Sequence, residues 1–364
     1  MSKLKFKIGK FDHLLFFLVL TISLLGILLI YDASSATATQ AFGNRYYFAQ
    51  HQLVWSILGI LVMFVTMTIN YHYWRKISWI LLVSSIISLI LVLIPGVGVK
   101  ILGGRRWLNL GFLPFQPAEF TKIILIIYLS SFFEKKIKIF HFLALLVAVT
   151  LLLMLEPDLG TTVVLVTSAL VVYFLAGANI GQLIGLILLT VFGGIGFVVF
   201  SPYRLARLKV FLNPNIDPQG SSYHLRQILL ALGSGGFWGR GIGQSRQKFL
   251  FLPEAATDSI FAVIGEEVGF IGAVAFLTVF LILLIRGFKI AKESPDNFGR
   301  VMAGGISSMI FIQFFLNLAA MVSLVPLTGI PLPFISYGGS FLIVAFWGIG
   351  ILLNISKFST KSRR

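Results

Sequence analysis

The 364 residues are 57% apolar and only 12% charged, with a mean hydropathy of +0.95 and a formal net charge of +16. A water-soluble domain carries about twice that charge fraction, so a soluble globular fold is excluded. The sequence has no cysteine, which removes disulfides and thiolate metal sites.

Apolar runs near the ~20-residue length of a bilayer crossing recur along the chain. They predict about ten spans: Leu14–Tyr31, Leu53–Ile69, Ser78–Pro95, Pro117–Phe133, Ile139–Glu156, Gly160–Ala178, Gln182–Phe200, Ser259–Ile285, Val301–Leu324 and Gly338–Ile355. The expected fold class is an all-α membrane protein, a single polytopic domain over residues 1–364. No internal repeat and no low-complexity linker divides it. The first span follows a basic stretch, and Ala36-Thr37-Ala38 loosely fits a cleavage site, but its apolar core is too long for a signal peptide and reads as a retained helix.

Short-loop lysines and arginines set the orientation. One side holds the N-terminal lysines, Arg75, Lys76, Lys135, Lys136, Lys138, Arg286, Lys289, Lys292, Arg300 and the basic tail, seventeen cations in all. That side is expected to be cytoplasmic, which makes the chain a multi-pass protein of the cytoplasmic (inner) membrane with both termini inside. The other side still holds eleven: Arg45, Lys100, Arg105, Arg106, Arg204, Arg207, Lys209, Arg226, Arg240, Arg246 and Lys248. Outward cations suit anionic lipid headgroups or a phosphate-bearing ligand.

One extracytoplasmic loop, residues 201–257, is long enough to carry structure of its own. Tyr203–Phe211 alternates basic and apolar residues at helical spacing, as an interfacial helix does. Asn213-Pro214 and Asp217-Pro218-Gln219-Gly220 are turn chemistry, and Ser222 is placed to cap a short helix through Leu232 that Gly233 ends. The glycine run Gly233–Gly243 lacks the Gly-Lys-Ser/Thr of a phosphate loop and follows no strand, so it implies no nucleotide cofactor. Its glycines either permit turns or let backbone come close to a neighbour.

The last outer loop, Pro326–Ser340, has no charge but three prolines and three glycines. Such a segment is expected to dip back into the protein and line a cavity. Its Ser336, Gly338, Gly339 and Ser340 lead into the tenth span, whose free N–H groups would suit an anion.

Charges inside spans cost about 2.5–3.5 kcal/mol each on insertion scales, so each is informative. Glu119 and Lys122, three apart, either close the bundle as an ion pair or face a ligand. Glu266 and Glu267 are adjacent and point in different directions, and Glu156 and Asp158 flank Pro157 as turn formers. Asp258 ends the long loop. It fits an N-cap, and equally a carboxylate at the outer surface kept ionised by surrounding cations and by a helix start.

Several stretches together carry a resemblance. They are Gly103-Gly104-Arg105-Arg106-Trp107, Phe115–Lys122, Glu156-Pro157-Asp158-Leu159-Gly160, Ala231–Gly236, Leu252–Asp258, Ile264–Gly269 and Pro333–Ser340. In this order, on a ten-span pattern, the chain resembles the shape, elongation, division and sporulation (SEDS) family of FtsW, RodA and SpoVE, with a lean towards the FtsW branch. The resemblance implies a peptidoglycan glycosyltransferase that polymerises lipid II, works with a class B penicillin-binding protein among the divisome or elongasome membrane proteins, and uses Asp258 as its essential outer-loop aspartate. Nothing points to a nucleic-acid partner. Four positions depart from the family: Ala256 stands where His is frequent, Ser259 where Phe is usual, Ala118 where Ser is usual, and Phe341 where a second Ser is usual. Ala256 and Ser259 flank the aspartate and bear on its geometry.

The implied chemistry is one inverting displacement. Asp258 takes the proton of the acceptor's 4-hydroxyl, and the leaving lipid diphosphate is held by Arg105, Arg106, Arg204, Arg207 or Lys209, with room for a divalent cation, Mg or Mn. Trp107, Glu119, Lys122, Glu266, Ser336, Gly338, Gly339 and Ser340 complete the expected substrate site. Two rivals stay open at this stage: a flippase of lipid-linked cell-wall precursor, and a scaffold of the cell-wall synthesis machinery.

Overall fold

A computed structural model describes residues 9–101, 104–109, 114–134, 138–213, 217, 220 and 222–359. Lys3, Lys5 and Lys7, Gly103, Lys135, Lys136, the turn residues Pro214, Pro218 and Gln219, and the tail cations Lys361, Arg363 and Arg364 lie outside the described residues.

The expected crossings appear as helices α1 (His13–Phe42), α2 (Tyr47–Thr68), α3 (His72–Leu93), α4 (Pro117–Phe133), α5 (Ile139–Leu155), α6 (Leu159–Leu175), α7 (Ile180–Val199), α10 (Ile260–Glu293), α11 (Asn297–Met321) and α12 (Gly339–Ser356). Seven of these are long and apolar enough to cross a membrane by themselves. The other three, α4, α5 and α6, have 17 residues each, about 25 Å of helix, the short end of a crossing. Between α7 and α10 the long loop folds into α8 (Pro202–Leu212) and α9 (Tyr223–Gly235). The protein is a multi-pass membrane protein with the all-α organisation its sequence predicts.

α11 and α12 are buried on nearly every side and form the axis of the bundle, whereas α7 is peripheral. α2 packs along α12, α3 along α4, and α6 and α10 along α11. Small residues permit the closest approach: a Cβ on Gly350 would stand 2.6 Å from the Met63 carbonyl, and one on Gly59 would enter the Phe346 ring. Away from the long loop, the start of α1 and the end of α12 lie side by side, joined by Gly9 N–H to Lys357 O at 2.8 Å and Asp12 N–H to Ser356 Oγ at 3.0 Å.

Helices α2 and α3 each begin six residues before the expected Leu53 and Ser78, α10 runs on to Glu293 beyond Ile285, and further features differ from the expectation. Helix α1 continues to Phe42, eleven residues beyond Tyr31, and ends on Gly43 in the left-handed region. Helix α9 runs through Gly233 to Gly235, and Ser222 occupies its N-cap position without a side-chain capping bond. The segment between α3 and α4 is a small antiparallel sheet of β1 (Gly98–Ile101), β2 (Gly104–Asn109) and β3 (Pro114–Phe115), in the order β1-β2-β3. Its strands are too short and too rich in glycine and cations to give a periodic signal.

Helix α10 breaks at Gly269, whose φ of 66° leaves backbone groups without helical partners. The glycine run supplies them. Arg240 N–H donates to Glu266 O and Gly241 N–H to Glu267 O, both at 3.0 Å, while Phe270 N–H donates to Gly236 O at 2.9 Å and Ile271 N–H to Phe237 O at 3.2 Å. Irregular backbone at this depth survives because protein, not lipid, satisfies it.

Candidate active site

Asp258 is half-buried and stands one residue before the α10 N-cap, which is Ser259. It does not cap the helix. Its Oδ1 accepts from Thr257 Oγ1 at 2.8 Å, and a Cβ on Gly329 would stand 3.4 Å from Oδ2. The carboxylate therefore lies against the backbone of the last loop.

The turn bearing Asp258 is held at three consecutive carbonyls. Tyr337 N–H donates to Ala256 O at 2.8 Å, Ser336 Oγ to Thr257 O at 2.5 Å, and Asn317 Nδ2 to Asp258 O at 2.8 Å. Asn317, on α11, also donates to Ile330 O at 2.8 Å. The last loop dips inward as expected: Leu332, Phe334 and Ser336 are fully buried. Gln52 on α2 braces it, donating to Ser336 O at 3.1 Å and accepting from Gly338 N–H at 3.2 Å. Gly339 has no room for a side chain, since a Cβ there would enter the Trp55 ring. Ser340 Oγ accepts from Gln116 N–H at 3.0 Å. Ser336 thus holds the aspartate's turn directly, while Gly338 N–H and Ser340 Oγ are engaged with Gln52 and Gln116.

The cations divide into two kinds. Arg105, half-buried, lines a cavity of about 370 Å³ with Lys100, Gly104, Leu93, Leu155 and Pro157. Arg106 is instead spent on the α5–α6 turn, donating to Glu156 O at 3.0 Å and Pro157 O at 2.5 Å. Trp107 sits in β2 opposite Val99. On α8, Arg204 reaches Phe197 O at 3.4 Å and Met154 O at 3.5 Å, Arg207 donates to Leu327 O at 3.0 Å, and Lys209 is exposed. Arg207 thereby brings a cation to the same loop, residues 327–330, that Asp258 faces. Gly160, at the start of α6, touches that loop too, at 2.7 Å from a would-be Cβ to Thr328 O.

The charges within spans turn inward. Lys122 Nζ lies 2.8 Å from Glu119 Oε2 and 3.0 Å from Gln313 Oε1, and Gln313 Nε2 donates to Pro331 O at 3.1 Å. Both charges are almost fully buried, so the pair ties α4 and α11 to the last loop. Glu266 accepts from Ser245 Oγ, Arg246 N–H and Gln247 N–H, and Glu267 from Ser245 N–H and Lys248 Nζ. Lys248 also meets Asp32 on α1 at 2.7 Å. The two glutamates hold residues 245–248 of the long loop.

Sequence reasoning missed Asn317, Gln313, Gln52 and His224. The first two are polar residues four apart inside a span, a signal of the same kind as Glu119 and Lys122. His224, on α9, contacts Ser259 Oγ at 2.7 Å, and no spacing rule links it to position 259. Among the described residues, no three or more His, Cys, Asp or Glu side chains cluster as a metal site.

Residues 12–361 match the FtsW, RodA and SpoVE family model, described as a cell cycle protein. The chain is 42% identical to stage V sporulation protein E of Bacillus subtilis over 356 residues, covering 96% of this chain and 97% of that one. It is 40% identical to the probable peptidoglycan glycosyltransferase FtsW of Trichlorobacter lovleyi over 359 residues, with 96% and 94% covered. Among solved structures it superposes on a chain of a peptidoglycan synthase complex that coordinates polymerization and crosslinking, with a TM-score of 0.79 at 30% identity, over 95% of this chain and 97% of that one. The rod shape determining protein RodA of Thermus thermophilus matches with a TM-score of 0.71 at 29% identity, over 96% and 98%.

Proposed function

The chain belongs to the FtsW, RodA and SpoVE family, and from that premise we propose that it is a peptidoglycan glycosyltransferase, polymerising lipid II into β-1,4-linked glycan on the outer face of the cytoplasmic membrane. Both termini are then cytoplasmic, and the long loop faces out. The relatives named as peptidoglycan glycosyltransferases support the activity. The neighbour within a peptidoglycan synthase complex supports a class B penicillin-binding protein as the working partner.

The observation that carries the site is the fixed carriage of Asp258: a half-buried carboxylate whose turn is held at three successive carbonyls. A general base needs placement before it needs an unusual pKa. Asp258 accepts the proton of the acceptor sugar's 4-hydroxyl as that oxygen attacks the anomeric carbon of the growing chain. The bond from that carbon to the lipid diphosphate breaks, and the anomeric centre inverts from α to β. This reading assigns to the departing diphosphate Arg105 and Lys100 in their cavity, and Arg207, which donates to Leu327 O in the last loop. A divalent cation, Mg or Mn, belongs to this reading as a companion of the substrate's diphosphate, and no step above depends on it. Most of the rate comes from holding two lipid-anchored substrates in register.

The test is polymerisation of lipid II by purified protein in detergent, with and without a cognate class B penicillin-binding protein and with and without chelator. Glycan should form, and Asp258→Asn should abolish it. Polymer from Asp258→Asn at the wild-type rate removes the base assignment. A wild-type protein that binds precursor but forms no polymer with its partner present returns the flippase or scaffold reading.

A further inference from the structure

We propose that His224 is a positioning residue for this reaction, tying the turn that carries Asp258 to α9 through the buried hydroxyl of Ser259. The inference rests on the assignment of Asp258 as base. It starts from an asymmetry in how that turn is held. Its carbonyls at 256, 257 and 258 are all taken by α11 and the last loop. On its other side, towards the long loop, the anchor is the 2.7 Å contact between His224 and Ser259 Oγ.

Ser259 is fully buried and makes no side-chain capping bond to α10, so its hydroxyl is free to serve the imidazole. The carbonyl of Pro253, at the opposite end of the turn, also bears on the ring. The imidazole is thus anchored to Ser259, the last residue of a seven-residue segment from Pro253 whose sixth residue is Asp258. The turn is also under local strain: Glu254 has a φ of 52°, and its carbonyl receives both Thr257 N–H and Ser259 N–H at 3.1 Å. A strained turn relaxes when an anchor is removed, and a shift of about 1 Å at a base costs on the order of a hundredfold in rate.

The ring also responds to pH. Burial lowers its pKa below the usual histidine value, Asp258 opposes that by favouring the imidazolium, and Arg207 on α8 adds to it. The other carboxylates nearby are engaged elsewhere: Glu254 with Thr257, and Glu266 and Glu267 with residues 245–248. At neutral pH the ring is uncharged and its Nε2 accepts from Ser259. As the pH falls through that lowered pKa it gains a proton. Nε2 must then donate, which reverses the bond to Ser259, and the new positive charge makes Asp258 a weaker base.

The experiment is the lipid II polymerisation rate of the full-length protein with its partner, measured from pH 5 to 8, for wild type, His224→Gln, His224→Ala, Ser259→Ala and Asp258→Asn. His224→Ala and Ser259→Ala should each lower kcat about tenfold or more with KM within about twofold, because the pair acts as one anchor. His224→Gln, whose amide oxygen can still accept from Ser259, should recover most of the rate at pH 7.5. It should also keep that rate towards the acid end of the range, below the usual histidine pKa, where the wild type declines. Wild-type kcat and pH profile in His224→Ala overturn the inference. If His224→Ala fails to yield a monodisperse protein, His224→Gln decides: a profile superimposable on wild type overturns it, and loss of the decline supports it. Asp258→Asn separates the two readings, since its full activity ends the base assignment whatever the histidine variants do.

Discussion

Asn317 on α11 donates its side-chain amide to the main-chain carbonyl of Asp258 at 2.8 Å, and with its second hydrogen reaches Ile330 O at the same distance. One buried amide thus joins the axis of the bundle to the turn carrying the carboxylate and to the loop the carboxylate faces. Asn317→Ala would leave both carbonyls without that partner, at about 1–3 kcal/mol each. The expected outcome is a lower Tm in detergent and a kcat reduced by about tenfold or more with little change in KM. Asn317→Asp should be worse, since a carboxylate would face two carbonyls with nothing to donate. Wild-type melting and turnover in Asn317→Ala would remove this anchor from the mechanism.

Glycines in one short run should respond in opposite ways. Gly239 has a φ of 80°, and a Cβ there would stand 2.1 Å from Glu267 O, against the broken turn of α10. Gly239→Ala should cost ~3 kcal/mol or more, through backbone displacement and left-handed strain together. Gly233 lies inside α9 with nothing within 4 Å of a would-be Cβ. Gly233→Ala should be neutral or stabilise by about 0.5–1 kcal/mol. Thermal unfolding of the two variants side by side checks this, and equal melting would mean the close packing of the run on α10 is not what fixes its glycines.

The crossings were legible because lipid imposes one rule, a long apolar run, and α10, α11 and α12 obey it. Asp258 drew attention in the sequence as the acid that ends a strongly basic loop, where Asp217 and Glu254 are the other carboxylates. What sequence could not supply was the partner of each polar group. Glu119 and Lys122 look the same on paper whether they pair or face a ligand, and only the position of Gln313 across the helix interface shows that the pair is closed on itself. The glycines from 233 to 243 exclude a nucleotide loop by what they lack, but nothing local says that the backbone of α10 lies against them. The β1-β2-β3 sheet escaped because a four-residue strand has too few residues to show alternation, and its pairing, Gly98 opposite Leu108, depends on contacts at a distance.

Arg105 and Arg106 are neighbours with different duties, and their variants should separate. Arg105 lines the cavity with Lys100, so Arg105→Ala should raise KM for lipid II several-fold, more at low salt than at high, and leave Tm close to wild type. Arg106 donates to two carbonyls of the α5–α6 turn, so Arg106→Ala should cost about 1–3 kcal/mol of stability, read as a lower Tm, with a smaller effect on KM. The reverse pattern, with Arg105→Ala unfolding and Arg106→Ala losing substrate, would exchange the two assignments.

The buried pair of Glu119 and Lys122 yields the sharpest contrast between a structural and a ligand-binding role. Each charge is almost fully buried, and Lys122 carries the link onward to Gln313, whose own amide reaches Pro331 O in the last loop. Lys122→Met leaves a carboxylate in the interior without its cation, and Glu119→Gln leaves the cation without its carboxylate; each should cost about 3–5 kcal/mol. Removing both charges at once should cost less than either single change, because no uncompensated charge remains. A double-mutant cycle on thermal unfolding in detergent reads this coupling directly. If instead the two residues bind substrate, the single and double variants will fold alike and share a raised KM. The burial of both side chains and the closure of the pair on Gln313 favour the coupled, structural outcome.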